Sequence, residues 1–163
     1  MAAVLYLTYS AFTQLEENRR ITRQANEELL VIRQLFSALQ DAETGQRGYL
    51  LAEDPTYLEP YLDSIGRISE LRAQLQTFAD DSPWLGERIR VLSEQIDAKQ
   101  AELEDSIAIS KQRGFEAARA QVLTDQGKHA MDAIRALVDD MVKQAQAEME
   151  AGRARFNTSI ERS

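Results

Sequence analysis

A stripe of residues at alternating three- and four-residue steps runs through Leu15, Asn18, Thr22, Ala25, Leu29, Ile32, Phe36 and Leu39. That spacing is the mark of a helix with one buried, heptad-like face. If the helix continues from about residue 3 to residue 51, at a rise of about 1.5 Å per residue, it is long for a globular domain. Such a segment belongs to an elongated bundle or coiled coil. Composition agrees: Ala, Leu, Glu, Gln and Arg, which lose little side-chain entropy in a helix, supply much of the chain, whereas it holds only 7 glycines and 3 prolines.

Further helices follow. Asp54-Pro55 marks a stop and restart, with Asp54 placed to cap free N–H groups and Pro55 lacking one. Inside a helix Pro60 would leave the carbonyl of Thr56 unpaired, so regular helix is expected only from near Glu59. The second stripe is Leu58, Tyr61, Leu62, Ile65, Ile68, Leu71, Leu75 and Phe78, ending at Asp80-Asp81-Ser82-Pro83, where Ser82 suits a cap. The third carries Leu85, Ile89, Leu92, Ile96, Leu103 and Ile107 and fades at Gly114. A short helical piece through Val122 and Leu123 precedes Thr124-Asp125-Gln126-Gly127, which reads as a turn. The last stripe is Met131, Ile134, Val138, Met141, Ala145, Met149 and Phe156. The expected fold is an all-α, elongated up-down-up-down four-helix bundle with long first and last helices and a short extra helix near residues 114–123.

Much chemistry is excluded. With no cysteine there is no disulfide framework, thiol nucleophile or thiolate metal site, and His129 is the single histidine. A net charge of -8, from 19 basic and 27 acidic residues, argues against a nucleic-acid surface. The carboxylate pairs Asp80-Asp81 and Asp139-Asp140 read as a helix break and a solvated face, not as acid and base catalysts. Neither a metal site nor a cofactor is implied, and no catalytic set stands out.

The chain opens on an apolar run from Ala2 to Phe12, too short to cross a bilayer and without the basic start of a signal peptide. Residues 1–14 therefore read as a helix start, either packed or the outer end of a clipped transmembrane helix. Two tyrosines among aliphatics, followed by Glu16-Glu17-Asn18-Arg19-Arg20, fit a membrane exit. Residues 15–160 form the bundle and 161–163 a tail. In this topology both termini emerge at one end, where Arg19, Arg20, Arg153 and Arg155 either face lipid phosphates or are ordinary surface charge.

Beyond Leu39 the first stripe is broken: Glu43 and Gln46 fall on core-facing positions and must be paired or wet. One reading is a satisfied ion-pair layer, Glu43 with Arg47 or with Arg135, in which nearby glycines allow close helix approach. The other is a small polar cavity at the distal end, where Arg47 and Tyr49 recognise an anion or other polar ligand.

The segment Asp41 to Leu51, followed by Glu53-Asp54-Pro55-Thr56-Tyr57-Leu58-Glu59-Pro60-Tyr61, resembles the CHASE3 family of extracytoplasmic sensory domains. The similarity continues through Leu92, Ile96 and Leu103, Gly114 with Ala117-Ala118, and Gly127-Lys128, Met131-Asp132 and Ile134-Arg135, covering roughly residues 20 to 155. The resemblance implies a domain outside the bacterial cytoplasmic membrane between two transmembrane helices, most often in a dimeric histidine kinase, less often in a diguanylate cyclase or chemoreceptor. It implies a small-molecule or protein stimulus but names none. On the matching positions it places the distinctive polar site at Glu43, Thr44, Arg47 and Tyr49, facing Lys128, Asp132 and Arg135. The rival reading is a soluble helical interaction or scaffold protein.

Overall fold

The computed structural model describes residues 1–79 and 83–161, with the outer side chains at each end of the chain less fully described than the middle. Ser82, the expected cap, Asp80-Asp81 and the last two residues of the tail lie outside the described residues, as do the side chains of Asn18, Arg155 and Phe156.

Helix α1 spans Ala2–Ala52 and is followed by a 3-10 turn, Pro55–Leu58; α2 spans Glu59–Ala79, α3 Pro83–Arg113, α4 Phe115–Val122 and α5 Gln126–Glu161. Asp54 accepts a hydrogen bond from the backbone N–H of Thr56 at 2.9 Å and another from its hydroxyl at 2.8 Å. Glu53 turns into the left-handed region with φ 52° and closes α1 by donating its N–H to the carbonyl of Tyr49. Because Pro55 and Pro60 forbid a continuous helix, the chain makes one tight turn before α2 starts at Glu59, where the proline spacing places it.

The helices run up, down, up and, through α4 and α5, down, so both ends of the chain lie at the same end of the bundle. Around the square, α1 packs on α2 and α5, and α3 on α2 and α5. Ile32, Leu35, Leu39, Ile68, Leu75, Leu92, Ile96, Leu103, Ile134 and Met141 fill the core, each removed almost wholly from water. Burial of one such side chain contributes about 1.5–3 kcal/mol.

Gly45 sets the register of α1 against α2. A Cβ there would lie 2.8 Å from the Tyr61 backbone nitrogen and 3.2 Å from its Cα, so the helices touch backbone to backbone, the close approach anticipated for these glycines. From that crossing α2 runs antiparallel to α1 and ends at Ala79, level with about Glu27. Below that level only α1 and α5 continue, in contact where Ile21 lies 4.0 Å from a Cβ built on Gly152. The molecule is thus a four-helix head on a two-helix stalk.

Three details depart from the sequence reading. Leu62 is 63% exposed, because the buried positions of α2 are Tyr61, Ser64, Ile68, Leu71 and Leu75, a face centred roughly 140° around the helix from it. Gly127 belongs to the first turn of α5, the turn itself being Leu123 to Asp125. The α1 stripe enters the core only from Ala25 upward; Leu15 and Thr22 stay partly exposed on the stalk, where there is no four-helix core to receive them.

Candidate functional site

The polar break in α1 is met by a polar break in α3. Lys99 is 1% exposed and sits between Ile96 and Leu103, at a level where the three-and-four spacing calls for an apolar side chain. An ammonium in that place is tolerable only if its donors are used. All three are: Nζ donates to Glu43 Oε1 of α1 at 3.0 Å, to Glu102 Oε2 of α3 at 2.8 Å and to the Gly127 carbonyl of α5 at 3.4 Å. Glu43 Oε1 also accepts from Arg47 Nη2 at 3.2 Å. Two ammonium or guanidinium charges therefore face two carboxylates, and one buried nitrogen joins three helices.

Gly127 makes room for this arrangement. A Cβ on it would lie 2.5 Å from Glu102 Oε2 and 2.8 Å from Lys99 Nζ, so any larger residue would force the ends of these two side chains to shift from their present pairing. One turn above, Gln46 is buried and donates from Nε2 to Ser106 Oγ at 2.6 Å, while that hydroxyl donates to the Leu103 carbonyl at 2.8 Å. Among the described residues no buried side-chain nitrogen or oxygen lacks a partner, so the layer is a closed hydrogen-bond network.

Residues 18–155 match the CHASE3 domain family. The chain belongs to that family. CHASE3 domains are extracytoplasmic sensor domains found in bacterial histidine kinases, and this chain is such a sensor domain. Its fold is similar to the crystal structure of the Rhodopseudomonas palustris histidine kinase HK9 sensor domain, with a TM-score of 0.70 and 22% identity over 75% of this chain and 95% of that one. No curated protein sequence matches it.

Within this CHASE3 domain the seven residues singled out from the sequence are distributed over several environments. Glu43 and Arg47 join the Lys99 layer, Arg47 with its side chain 60% exposed. Thr44 is exposed and donates its hydroxyl to the Gln40 carbonyl at 2.8 Å. Tyr49 is buried, with the Lys111 ammonium 5.9 Å from its ring centre. Lys128, Asp132 and Arg135 are exposed on α5; Arg135 pairs with Asp132 at 2.7 Å and lies 5.8 Å over the Phe36 ring. The alternative pair of Glu43 with Arg135 is not formed, because Lys99 is already buried beside Glu43 and Asp132 occupies Arg135.

Lys99 and Glu102 were absent from the sequence-based site. A lysine or glutamate within the polar run from Asp97 to Asp105 looks like solvated surface, but one signal was there: the seven-residue gap between Ile96 and Leu103 in an otherwise regular stripe. Among the described residues no three His, Asp or Glu side chains converge as metal ligands, and no helix is long and apolar enough to cross a membrane.

Proposed function

We propose that this CHASE3 domain stands between two membrane helices of a homodimeric sensor histidine kinase, on the periplasmic or extracellular side, with residues 15–160 as the sensory unit and residues 1–14 leading from the first membrane helix. The buried layer of Glu43, Lys99, Glu102 and Gly127 is the signal-coupling element. The observation that supports this reading is that a single ammonium holds α1 and α5, the two helices that continue into the stalk, against α3, which does not. A stimulus that draws Glu43 or Arg47 out of the network changes how α1 is held relative to α5. Stiff helices carry that offset, rotation or tilt to the membrane.

Thr44 and Arg47 on α1, with Lys128, Asp132 and Arg135 on the adjoining α5, supply exposed polar groups on neighbouring helices through which a polar small molecule or a protein gains access to the layer. Tyr49 acts beneath them as packing for α1.

The test is carried out in the full-length receptor. Glu43→Gln and Lys99→Met, in variants with unchanged helix content and membrane level, should shift basal autophosphorylation of the kinase several-fold away from wild type. Unchanged output in both variants would refute the coupling role.

A further inference from the structure

Helix α2 carries two apolar stripes, and the bundle core uses only one of them fully. Tyr61, Ser64, Ile68, Leu71 and Leu75 are buried. Leu58, Leu62 and Ile65 follow one another at four- and three-residue steps on a second side. Leu58 and Ile65 are half-buried and pack against the core, while Leu62 between them is 63% exposed. Ile65 and Arg72, seven residues apart, share that side, and Arg72 donates to Asp97 of α3 at 2.6 Å, so the second stripe turns toward α3. Arg67, which reaches Asp41 of α1, marks the other side of α2. Two turns up α3 from Asp97 and two turns back along α2 from Arg72 bring Glu104 level with Ile65. Its carboxylate, after burial, helps to push up the neighbouring Tyr61 phenol. One turn beyond Leu62, Gly66 is exposed, and a Cβ on it would meet nothing within 4 Å. Glycine weakens a helix interior relative to alanine, and here no contact within the chain requires it.

We propose that this outer face of α2, with the adjoining edge of α3, is the docking surface for a cationic amphipathic helix of another protein. Charge selects that occupant. Glu59 and Asp63 stand beside Leu62 on α2, and Glu104 and Asp105 on the α3 side; all four are exposed, and none forms an ion pair with any described residue. Both arginines of α2 are already engaged, Arg67 with Asp41 and Arg72 with Asp97. An exposed leucine among unpaired carboxylates is complementary to an apolar side chain flanked by lysines or arginines, which is what one face of a basic amphipathic helix presents. Gly66 gives such a helix room to approach beside its anchor. Other occupants fit less well. A second copy presenting the same face would set carboxylate against carboxylate across a two-fold axis, and an anionic lipid surface is repelled in the same way. A metal ion needs converging ligands, and among the described residues no three His, Asp or Glu side chains converge. None of Glu43, Arg47 and Lys99 belongs to this face, so it is a binding surface beyond the coupling layer.

The probe is a fluorescently labelled amphipathic helical peptide of lysine and leucine. Its binding to the full-length protein in nanodiscs of zwitterionic lipid is followed by anisotropy, with empty nanodiscs as the blank. A glutamate–leucine peptide of the same pattern and a lysine–serine peptide of the same charge are the comparisons, and the lysine–leucine peptide should bind at least about ten-fold more tightly than either. Leu62→Ser should weaken it by about ten-fold, the loss expected for one buried aliphatic side chain. Glu59→Gln with Glu104→Gln should weaken it by about three-fold or more and flatten its dependence on salt. Gly66→Gln puts a long side chain and a better helix former where the free chain has open space, so binding should fall while protein level and helix content stay as in wild type. Equal binding of the glutamate–leucine peptide would overturn the inference, as would equal binding of the lysine–serine peptide, which would reduce the surface to charge alone. So would unchanged affinity in Leu62→Ser and Gly66→Gln, or affinity lost instead in Leu51→Ser or Leu123→Ser, at exposed apolar residues elsewhere on the head. Affinity is read on the peptide and not as kinase output, so a failure here leaves the coupling reading standing, and a failure of the Lys99 test leaves this surface standing.

Discussion

Replacing Lys99 by Met keeps the length and most of the volume of the side chain while removing its charge, which isolates the electrostatic part of the buried layer. Glu43 and Glu102 each reach Nζ, at 3.0 and 2.8 Å, so their bonded oxygens lie within about 6 Å of one another. Two like charges at ~6 Å repel by about 3 kcal/mol at an effective dielectric constant of ~20. Arg47 offsets little of this, since its side chain is 60% exposed and its bond to Glu43 is worth about 0–1 kcal/mol. The loss of hydrogen bonds from a charged donor acts in the same direction. The expected cost is about 3–5 kcal/mol at neutral pH, the range for breaking a buried pair on one side.

Urea unfolding followed by helical circular dichroism measures it. Lys99→Met should lower the midpoint without changing the slope, because the surface exposed on unfolding is nearly the same. Adding Glu43→Gln and Glu102→Gln to Lys99→Met removes the repulsion while preserving shape, so at least about 2 kcal/mol should return. If Lys99→Met alone stays within about 1 kcal/mol of wild type, or the glutamine changes deepen the loss, the layer is not held by the buried ammonium and the reasoning fails.

Glycine positions separate contact from propensity. Gly45→Ala should destabilise the head by about 1–3 kcal/mol, since the new methyl meets the Tyr61 backbone. Gly66→Ala, with nothing within 4 Å, should stabilise by about 0.5–1 kcal/mol in the same urea assay. The Asp54 carboxyl is held below its ordinary value, first by the Thr56 N–H and then by its hydroxyl. Its stabilising effect is therefore present above the ordinary carboxylate range and is lost as pH falls through the lowered value. Carbon-detected titration should show Asp54 moving toward its ordinary value in Thr56→Val. The Tyr61 phenol is pushed up, by burial and then by Glu104. Its contribution is complete below the ordinary tyrosine range and is lost as pH rises through the raised value; absorbance titration should show one late-ionising tyrosine that disappears in Tyr61→Phe.

What was legible in the sequence was local. The Asp54 cap, the delayed start of α2 imposed by Pro60 and the short helix after Gly114 each follow from the conformational rules of a few adjacent residues. Helical periodicity gave the faces of α2, α3 and α5, apart from Leu62. It could not say what covers a face. The Leu15 to Leu39 stripe is continuous in sequence, yet its upper part faces a core and its lower part a stalk, because α2 ends level with Glu27 and takes the covering helix away. The site was legible in the same partial way. A break in one stripe pointed to Glu43, but its partner comes from α3, 56 residues along the chain, and no spacing rule reaches that far.

Apolar residues of matching volume at positions 43, 99 and 102 together would make a bundle at least as stable, since desolvating an ammonium and two carboxylates is repaid only by good geometry. What the charged layer contributes is a choice. Within it the Glu43 oxygen that holds Lys99 is the same oxygen that holds Arg47, so the two cations compete for one acceptor. Arg47 is exposed and Lys99 is not; a ligand or partner that engages Arg47 or displaces Glu43 from outside alters the hold on a buried nitrogen that touches three helices. Coupling between distant sites in proteins is typically about 1–3 kcal/mol, less than the cost of breaking this layer and comparable with the cost of rearranging it. α1 extends for about 75 Å at 1.5 Å per residue, so a tilt too small to disturb the packing at the head becomes a displacement at the stalk.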